Sequence, residues 1–212
     1  MVKASRSARS SYSSSPLGLL LLAAGCQTTE PVNVTPSFTT SPALAVRKPS
    51  DIAVLPVEDG SPGGAASRHV VFLRQEIMRR LVDRLYSPLA APGVDAALKG
   101  NAEAAAARAS GASTLEATYL QKVAGHSSED ALFALRVDQW DESNLLATRR
   151  ITFQFQAALV GSDGQQLWYG TLSGEVKAGG AGAAPRDRDY MARSCGELAI
   201  RELMLRLPQR LP

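Results

Sequence analysis

The feature that most constrains the fold is a period-two alternation over positions 151–159, in which apolar residues alternate with mostly polar ones. The apolar positions are Ile151, Phe153, Phe155, Ala157 and Leu159, and the positions between them are Thr152, Gln154, Gln156 and Ala158. A period of two predicts a β-strand with one buried face and one wetter face. Asp163-Gly164 then predicts a hairpin turn into a second strand over 166–176, because both residues tolerate positive φ.

Helical and strand patterns alternate along the rest of the chain. The predicted elements are a buried strand at 52–57, a helix with Val70, Leu73, Ile77, Leu81 and Leu85, a short strand at 86–90, short helices at 94–98 and 102–108, a helix between Ser113 and Gly125 with a capping-box start, a strand at 131–140, and a last helix from Ala192 to Leu207. This order predicts a single-domain α/β sandwich. We expect a mixed sheet of about five strands (β-α-β-α-β-β-β-α), covered by helices that include the first and the last.

The amino terminus has the pattern of a bacterial export signal. Lys3, Arg6 and Arg9 form a basic segment, and an apolar segment follows at 17–24. Its eight residues are too few to span a bilayer, which needs roughly 20 helical residues. The small residues 23–25 followed by Cys26 resemble the lipobox of bacterial lipoproteins, which implies cleavage before Cys26 and acylation of that cysteine.

This pattern predicts three regions. Residues 1–25 are a lipoprotein signal peptide, 26–50 are the lipidated cysteine and a flexible, proline-containing tether, and 51–212 are a periplasmic domain. A tether of that length has a mean reach of about 25–30 Å. Because Gln27 rather than aspartate follows the cysteine, we expect the outer membrane as the destination.

Charge argues against a nucleic-acid partner. The chain has 23 Lys+Arg and 20 Asp+Glu, and the three basic residues of the signal account for the difference, which leaves 20 against 20. A domain without a basic excess is a poor ligand for nucleic acid. With Cys26 lipidated, Cys195 has no intramolecular partner, and its place on the apolar stripe of the last helix predicts a buried, inert thiol.

Few residues are arranged for chemistry. Asp138, Asp141 and Glu142 cluster after the third predicted strand, where paired carboxylates could serve acid/base chemistry or bind a metal, or simply form a solvated turn. His69 and His126 lack metal-ligand spacing. Phosphate-loop, dinucleotide and hydrolase motifs are absent from the sequence. We therefore expect a protein that is not an enzyme and uses no cofactor or metal.

Two aromatic residues are candidates for binding a partner. Trp140 ends a predicted strand, and Tyr169 lies on the face of its strand opposite to Trp168. Packing in the core is the competing interpretation for both.

Several of these segments together resemble a known group of proteins. The buried strand at 52–56 with its helix, Asp130-Ala131-Leu132 leading to Trp140, and the hairpin from Ala158 to Gly170 are similar to bacterial putative lipoproteins whose periplasmic domain resembles the amino-terminal domain of TolB. Curli-secretion lipoproteins and lipoprotein activators of penicillin-binding proteins share that broad fold. The resemblance implies a non-enzymatic envelope protein, and it carries over no catalytic or ligand residues.

Three functions follow as alternatives. The first is an outer-membrane-anchored interaction module in envelope assembly or transport, whose partners are envelope proteins or further copies of itself. The second is a lipoprotein regulator of a peptidoglycan synthase. The third is an enzyme that depends on Asp138, Asp141 or Glu142.

Overall fold

The computed structural model describes residues 30–179 and 187–210, which form one α/β domain. The strands are β1 (Glu30–Thr40), β2 (Asp51–Val54), β3 (Glu58–Asp59), β4 (Ser87–Pro88), β5 (Ala131–Asp141), β6 (Arg150–Gly161) and β7 (Gln166–Lys177). The helices are α1 (Pro42–Arg47), α2 (Val70–Asp83), α3 (Ala91–Gly100), α4 (Ala102–Ala109), α5 (Ala117–Val123), α6 (Leu145–Thr148) and α7 (Arg188–Met204), with a 3₁₀ turn at Pro62–Gly64. None of these helices combines the length and apolar character needed to span a bilayer.

One mixed sheet organises the domain. Its strand order is β1-β7-β6-β5-β2-β4, and β3 pairs with β5 next to the end of β2. The long strands β1, β7, β6 and β5 pair antiparallel in that order, whereas β2 and β3 run parallel to β5. The predicted fold class is confirmed, with more strands than expected.

The larger core lies between one side of the sheet and the helices α2 and α7. Phe153, Phe155 and Leu159 are fully buried there, whereas Thr152 and Gln154 on the other side of β6 are half-buried. The faces predicted from the alternation are therefore confirmed. We call the α2/α7 side the inner side of the sheet.

On the outer side of the sheet, helices cover mainly β2, β5 and the far end of β6. Helices α3, α4 and α5 enclose a smaller core that includes Ala53, Leu132 and Val160 with Tyr119 and Leu120. Glu58 ties this layer to the sheet, because its carboxylate accepts hydrogen bonds from Ser113 and from the Thr114 backbone and hydroxyl. The Ser113 hydroxyl donates to Glu58 and accepts from the Leu115 amide, so the predicted capping box does not form. Helix α5 begins after Glu116 without a side-chain cap.

The prediction of a flexible tether over 26–50 is wrong for its folded part. Residues 30–40 form β1, which pairs antiparallel with β7, and α1 follows directly. Prolines at 31, 36, 42 and 49 suggested a linker, but the two within β1 lie in an edge strand, which tolerates proline because one row of its N–H groups needs no partner. Phe38 stacks on Trp168 at 5.4 Å between ring centroids and covers Gly170, where a Cβ would lie 1.8 Å from the phenyl ring. Residues 30–50 therefore belong to the domain, which was predicted to begin at residue 51.

Candidate functional site

The three carboxylates near the end of β5 do not form a shared centre. Asp138 pairs with Arg136 Nε at 2.9 Å and accepts a hydrogen bond from Gln156 Nε2 at 2.6 Å. Asp141 is exposed and accepts from the Ser143 amide at 2.8 Å. Each carboxylate, Glu142 included, is thus engaged by its own partners. Within the described ranges 30–179 and 187–210, no group of three His, Cys, Asp or Glu side chains is placed to hold a metal ion.

Glu142 is a buried structural carboxylate. Its side chain is 5% exposed and accepts hydrogen bonds from Trp140 Nε1 at 2.8 Å, Arg188 Nε at 3.0 Å and Arg68 Nη2. His69 Nε2 lies 2.6 Å from the other carboxylate oxygen. Burial alone would raise the pKa of Glu142, but the hydrogen bonds from Trp140, Arg188 and His69 outweigh it and lower the pKa below the usual value. These contacts fasten the starts of α2 and α7 to the end of β5.

Trp140 does not lie on a binding surface. It is 4% exposed, shares the inner side of the sheet with Phe153, and stacks on Phe155 at 6.3 Å between ring centroids. Tyr169 is half-buried on the outer side, opposite Ala158. Strand alternation places the two aromatic rings on opposite sides of the sheet, so Trp140 and Tyr169 do not form one surface, and partner binding through Tyr169 stays a prediction.

The remaining candidates from the sequence are also placed. Cys195 is fully buried on α7, as predicted, and burial raises the pKa of its thiol to about 12. His69 is buried against Glu142, whereas His126 is exposed in the loop after α5. Cys26 and its export signal lie outside the described residues, so lipidation stays a prediction.

The best candidate for a functional surface is the outer side of the sheet's first three strands. In the described part of the chain, α7 packs on the inner side of these strands, and the outer layer reaches only the far end of β6 and Tyr169 of β7, which packs at its border. We call this uncovered region the open face. Its residues are Thr35, Ser37 and Thr39 of β1, Tyr169, Thr171 and Ser173 of β7, and Thr152, Gln154 and Gln156 of β6.

A hydrogen-bonded chain of side chains crosses the open face. Tyr169 donates its hydroxyl to Gln156 Oε1 at 2.9 Å, and Gln156 donates to Asp138, which is ion-paired with Arg136. The chain connects β7, β6 and β5, so these side chains are held in place before any partner arrives. A surface of ordered hydroxyl and amide groups loses less conformational entropy on binding than one of free side chains.

The open face ends at β1, the edge strand of the sheet, whose outer edge pairs with no strand of residues 30–179 and 187–210. Ser41 N donates to Leu167 O at 2.8 Å, which fixes which residues of β1 bond to β7. Because bonded and unbonded residues alternate in an antiparallel ladder, Phe38 and Thr40 direct their backbone groups outward, away from β7. Pro36 falls on the same outward row, where its missing N–H costs no ladder bond. Positions 31–40 contain no charged residue, so the edge lacks the lysines that often block strand addition.

The sequence predicted Tyr169 as a binding residue, which stays a prediction, but it did not predict the surface around this side chain. The alternation in β6 already predicted a wetter side with Gln154 and Gln156. What the sequence did not show was β1, which extends that side by a further strand. Its signal was the density of β-branched and aromatic residues at 32–40, which the interspersed prolines obscured.

Neither a protein-family model nor a curated protein matches the sequence. Among solved structures, the PelC dodecamer from Paraburkholderia phytofirmans is 14% identical, with a TM-score of 0.44 over 80% of this chain and 95% of that chain. Lipoprotein GNA1162 from Neisseria meningitidis is 19% identical, with a TM-score of 0.47 over 73% and 98%. The LpoB C-terminal domain from Salmonella enterica is 14% identical, with a TM-score of 0.35 over 60% and 82%. Likenesses this distant carry no function to this chain, and the resemblance to TolB stays a prediction.

Proposed function

We propose that this chain is a lipid-anchored envelope lipoprotein that acts by binding another envelope protein and catalyses no reaction. The export signal and the lipobox at Cys26 support the anchor and the outer-membrane destination. The structural engagement of Asp138, Asp141 and Glu142 supports a non-enzymatic role, because each of these carboxylates already has partners that hold it.

The observation that carries the proposal is the open face with the β1 edge, which no other described strand covers. An extended segment of a partner can add to such an edge through backbone hydrogen bonds, while its side chains contact the adjoining face. The hydroxyl and amide groups of the open face select a neutral, polar partner strand. The charged side chains that border this face already form ion pairs with one another, Arg136 with Asp138 and Arg150 with Glu175, so a highly charged partner would find no unpaired complementary charge among them.

A regulator of a peptidoglycan synthase is the second candidate, and the position of β1 disfavours it. From Cys26 to Glu30 the chain spans four residue steps, which is about 14 Å even when fully extended. This distance is shorter than the mean reach of about 25–30 Å expected from a tether that ended at residue 50. A domain held this close to its membrane binds partners that are themselves near that membrane.

Site-specific photo-cross-linking in native envelopes tests the proposal. A photoreactive residue replaces Thr171 at the centre of the open face, and a matched control replaces Gln75, which is exposed on α2. We expect one discrete cross-linked protein from position 171 and none from position 75. Equal products at both positions, or none at position 171 while the chain is folded and at the membrane, would contradict the open face as the binding surface.

A further inference from the structure

The start of β1 lies at one particular end of the sheet. Glu30 pairs with Lys177 at the end of β7, and Lys177 pairs with Arg150 at the start of β6. The short helix α6, which contains Leu146, connects β5 to β6 at this same end. The opposite end carries the β6–β7 turn around Gly164, about 35 Å away along the strands.

Basic and apolar groups are exposed together where β1 begins. We call Leu146, Arg149, Arg150 and Lys177 the anchor end. Leu146 is 62% exposed, Lys177 is exposed, and the Arg150 side chain is 42% exposed although it bonds to Glu175 Oε2 at 3.1 Å. Arg149, Arg150 and Lys177 line one shallow concavity with Ala147 and Thr148.

The backbone fixes these groups. Arg149 adopts a left-handed conformation with φ of 60° and caps α6, and its carbonyl accepts a hydrogen bond from Ala178 N at 2.8 Å. This bond joins the α6–β6 corner to the end of β7. Arg150 and Lys177 therefore lie at paired strand ends. Arg149 lies in the α6–β6 connection, which the hydrogen bond from Ala178 holds.

The chain length before β1 restricts what this end can face. If Cys26 carries lipid, as the proposed function holds, Glu30 lies within about 14 Å of the acylated residue. The anchor end is then the part of the described domain that lies nearest to the bilayer surface. Lys and Arg near an anionic leaflet attract it, and an exposed leucine gains by entering the interface.

We propose that the anchor end docks on the bilayer that holds the lipid, with Arg149, Arg150 and Lys177 on the phosphates of anionic headgroups and Leu146 in the interface. This inference rests on the lipidation of Cys26. Docking orients the strands away from the membrane and presents the open face sideways, next to proteins of the same membrane.

Fluorescence quenching in vesicles tests this orientation. The full-length lipidated protein carries a thiol-reactive probe at Ala147→Cys, or at Gln165→Cys as the far-end control; both positions are exposed. Cys195 stays unlabelled because it is buried and burial raises the pKa of its thiol to about 12. The quencher is a nitroxide on the lipid headgroup, and the vesicles contain phosphatidylcholine alone or mixed with phosphatidylglycerol.

We expect quenching of the probe at 147 but not at 165, and stronger quenching when phosphatidylglycerol is present. The double variant Arg150→Gln, Lys177→Gln should lower the ratio of docked to undocked protein about 30-fold, since each cation near an anionic surface contributes about 1 kcal/mol. The control double variant Lys99→Gln, Arg206→Gln removes the same charge from exposed positions elsewhere and should leave the ratio unchanged.

The possible failures are distinguishable. If mass spectrometry finds lipid on Cys26 but both probes respond alike, docking is wrong while the anchor stands. If quenching at 147 is the same in both lipid mixtures and in the Arg150→Gln, Lys177→Gln variant, headgroup binding is wrong. If Cys26 carries no lipid, both the anchor and the docking are wrong.

Discussion

Glu142 shows how a single buried carboxylate can hold three elements together. Its donors come from the segment before α2, from the end of β5 and from the start of α7. Because a charge in such a place is costly without partners, these bonds matter most when the carboxylate is ionised. The same bonds lower the pKa of Glu142 although burial opposes them.

The pH dependence of unfolding follows from this lowered pKa. A carboxyl group whose pKa is lower in the folded state stabilises the fold above its unfolded pKa of about 4.3, and that contribution is lost as pH falls through the folded pKa. Glu142→Gln should therefore lower the free energy of unfolding by about 1–3 kcal/mol at neutral pH, and by progressively less below about pH 4. Urea unfolding across pH measures this, with the exposed Glu103→Gln as the control. If the loss of unfolding free energy in Glu142→Gln did not change with pH, the claim that the ionised Glu142 carboxylate holds these elements together would be contradicted.

At the scale of elements, β1 changes the boundary of the domain. It adds an edge strand to β7 and places Phe38 over Trp168, so the sheet is incomplete without it. The charge-free sequence at 31–40 leaves the far side of this strand open to a partner.

Removing the Phe38 ring tests whether residues 30–40 form a folded strand or a free tether. Phe38→Ala should lower the free energy of unfolding by about 2 kcal/mol, because the ring is partly buried and stacked. Phe155→Ala is the reference for a fully buried ring and should cost about 3–5 kcal/mol. If β1 were a free tether, urea unfolding of Phe38→Ala would match the wild type.

The sequence predicted those elements that have a clear period. Apolar alternation gave β6, the stripe at Leu73, Ile77 and Leu81 gave α2, and Asp163-Gly164 gave the hairpin. It did not predict β1, because an edge strand needs no strict alternation and tolerates proline. The short elements β3 and α6 carry too few residues to show a period.

The candidate site was predicted only in part for a related reason. Asp138, Asp141 and Glu142 lie within five residues of sequence, but in the strand and the turn after it their side chains bond to different partners. Trp140 and Tyr169 were paired as aromatics, although which side of the sheet each one faces depends on the register with β6. Register is set by tertiary pairing and cannot be read from either strand alone.

At the scale of the whole molecule, the proposed anchor and the open edge constrain one another. If the anchor end faces the bilayer, β1 rises from it for 11 residues, which is about 35 Å. Two copies paired antiparallel through β1 would place their first residues at opposite ends of that length. Both lipids could not then enter the same membrane, so a strand from a different protein suits this edge better than a second copy.

The most direct test of the central claim is whether the open face holds the chain in a complex. Thr171→Arg places a bulky charge on that face, and Gln75→Arg places the same charge on exposed α2. After mild solubilisation of native envelopes, native gel electrophoresis should show the wild type and Gln75→Arg in a complex, and Thr171→Arg alone. If Thr171→Arg stays in the complex, the open face is not the binding surface; loss of the complex in a folded Asp141→Asn variant would instead place binding at that exposed carboxylate.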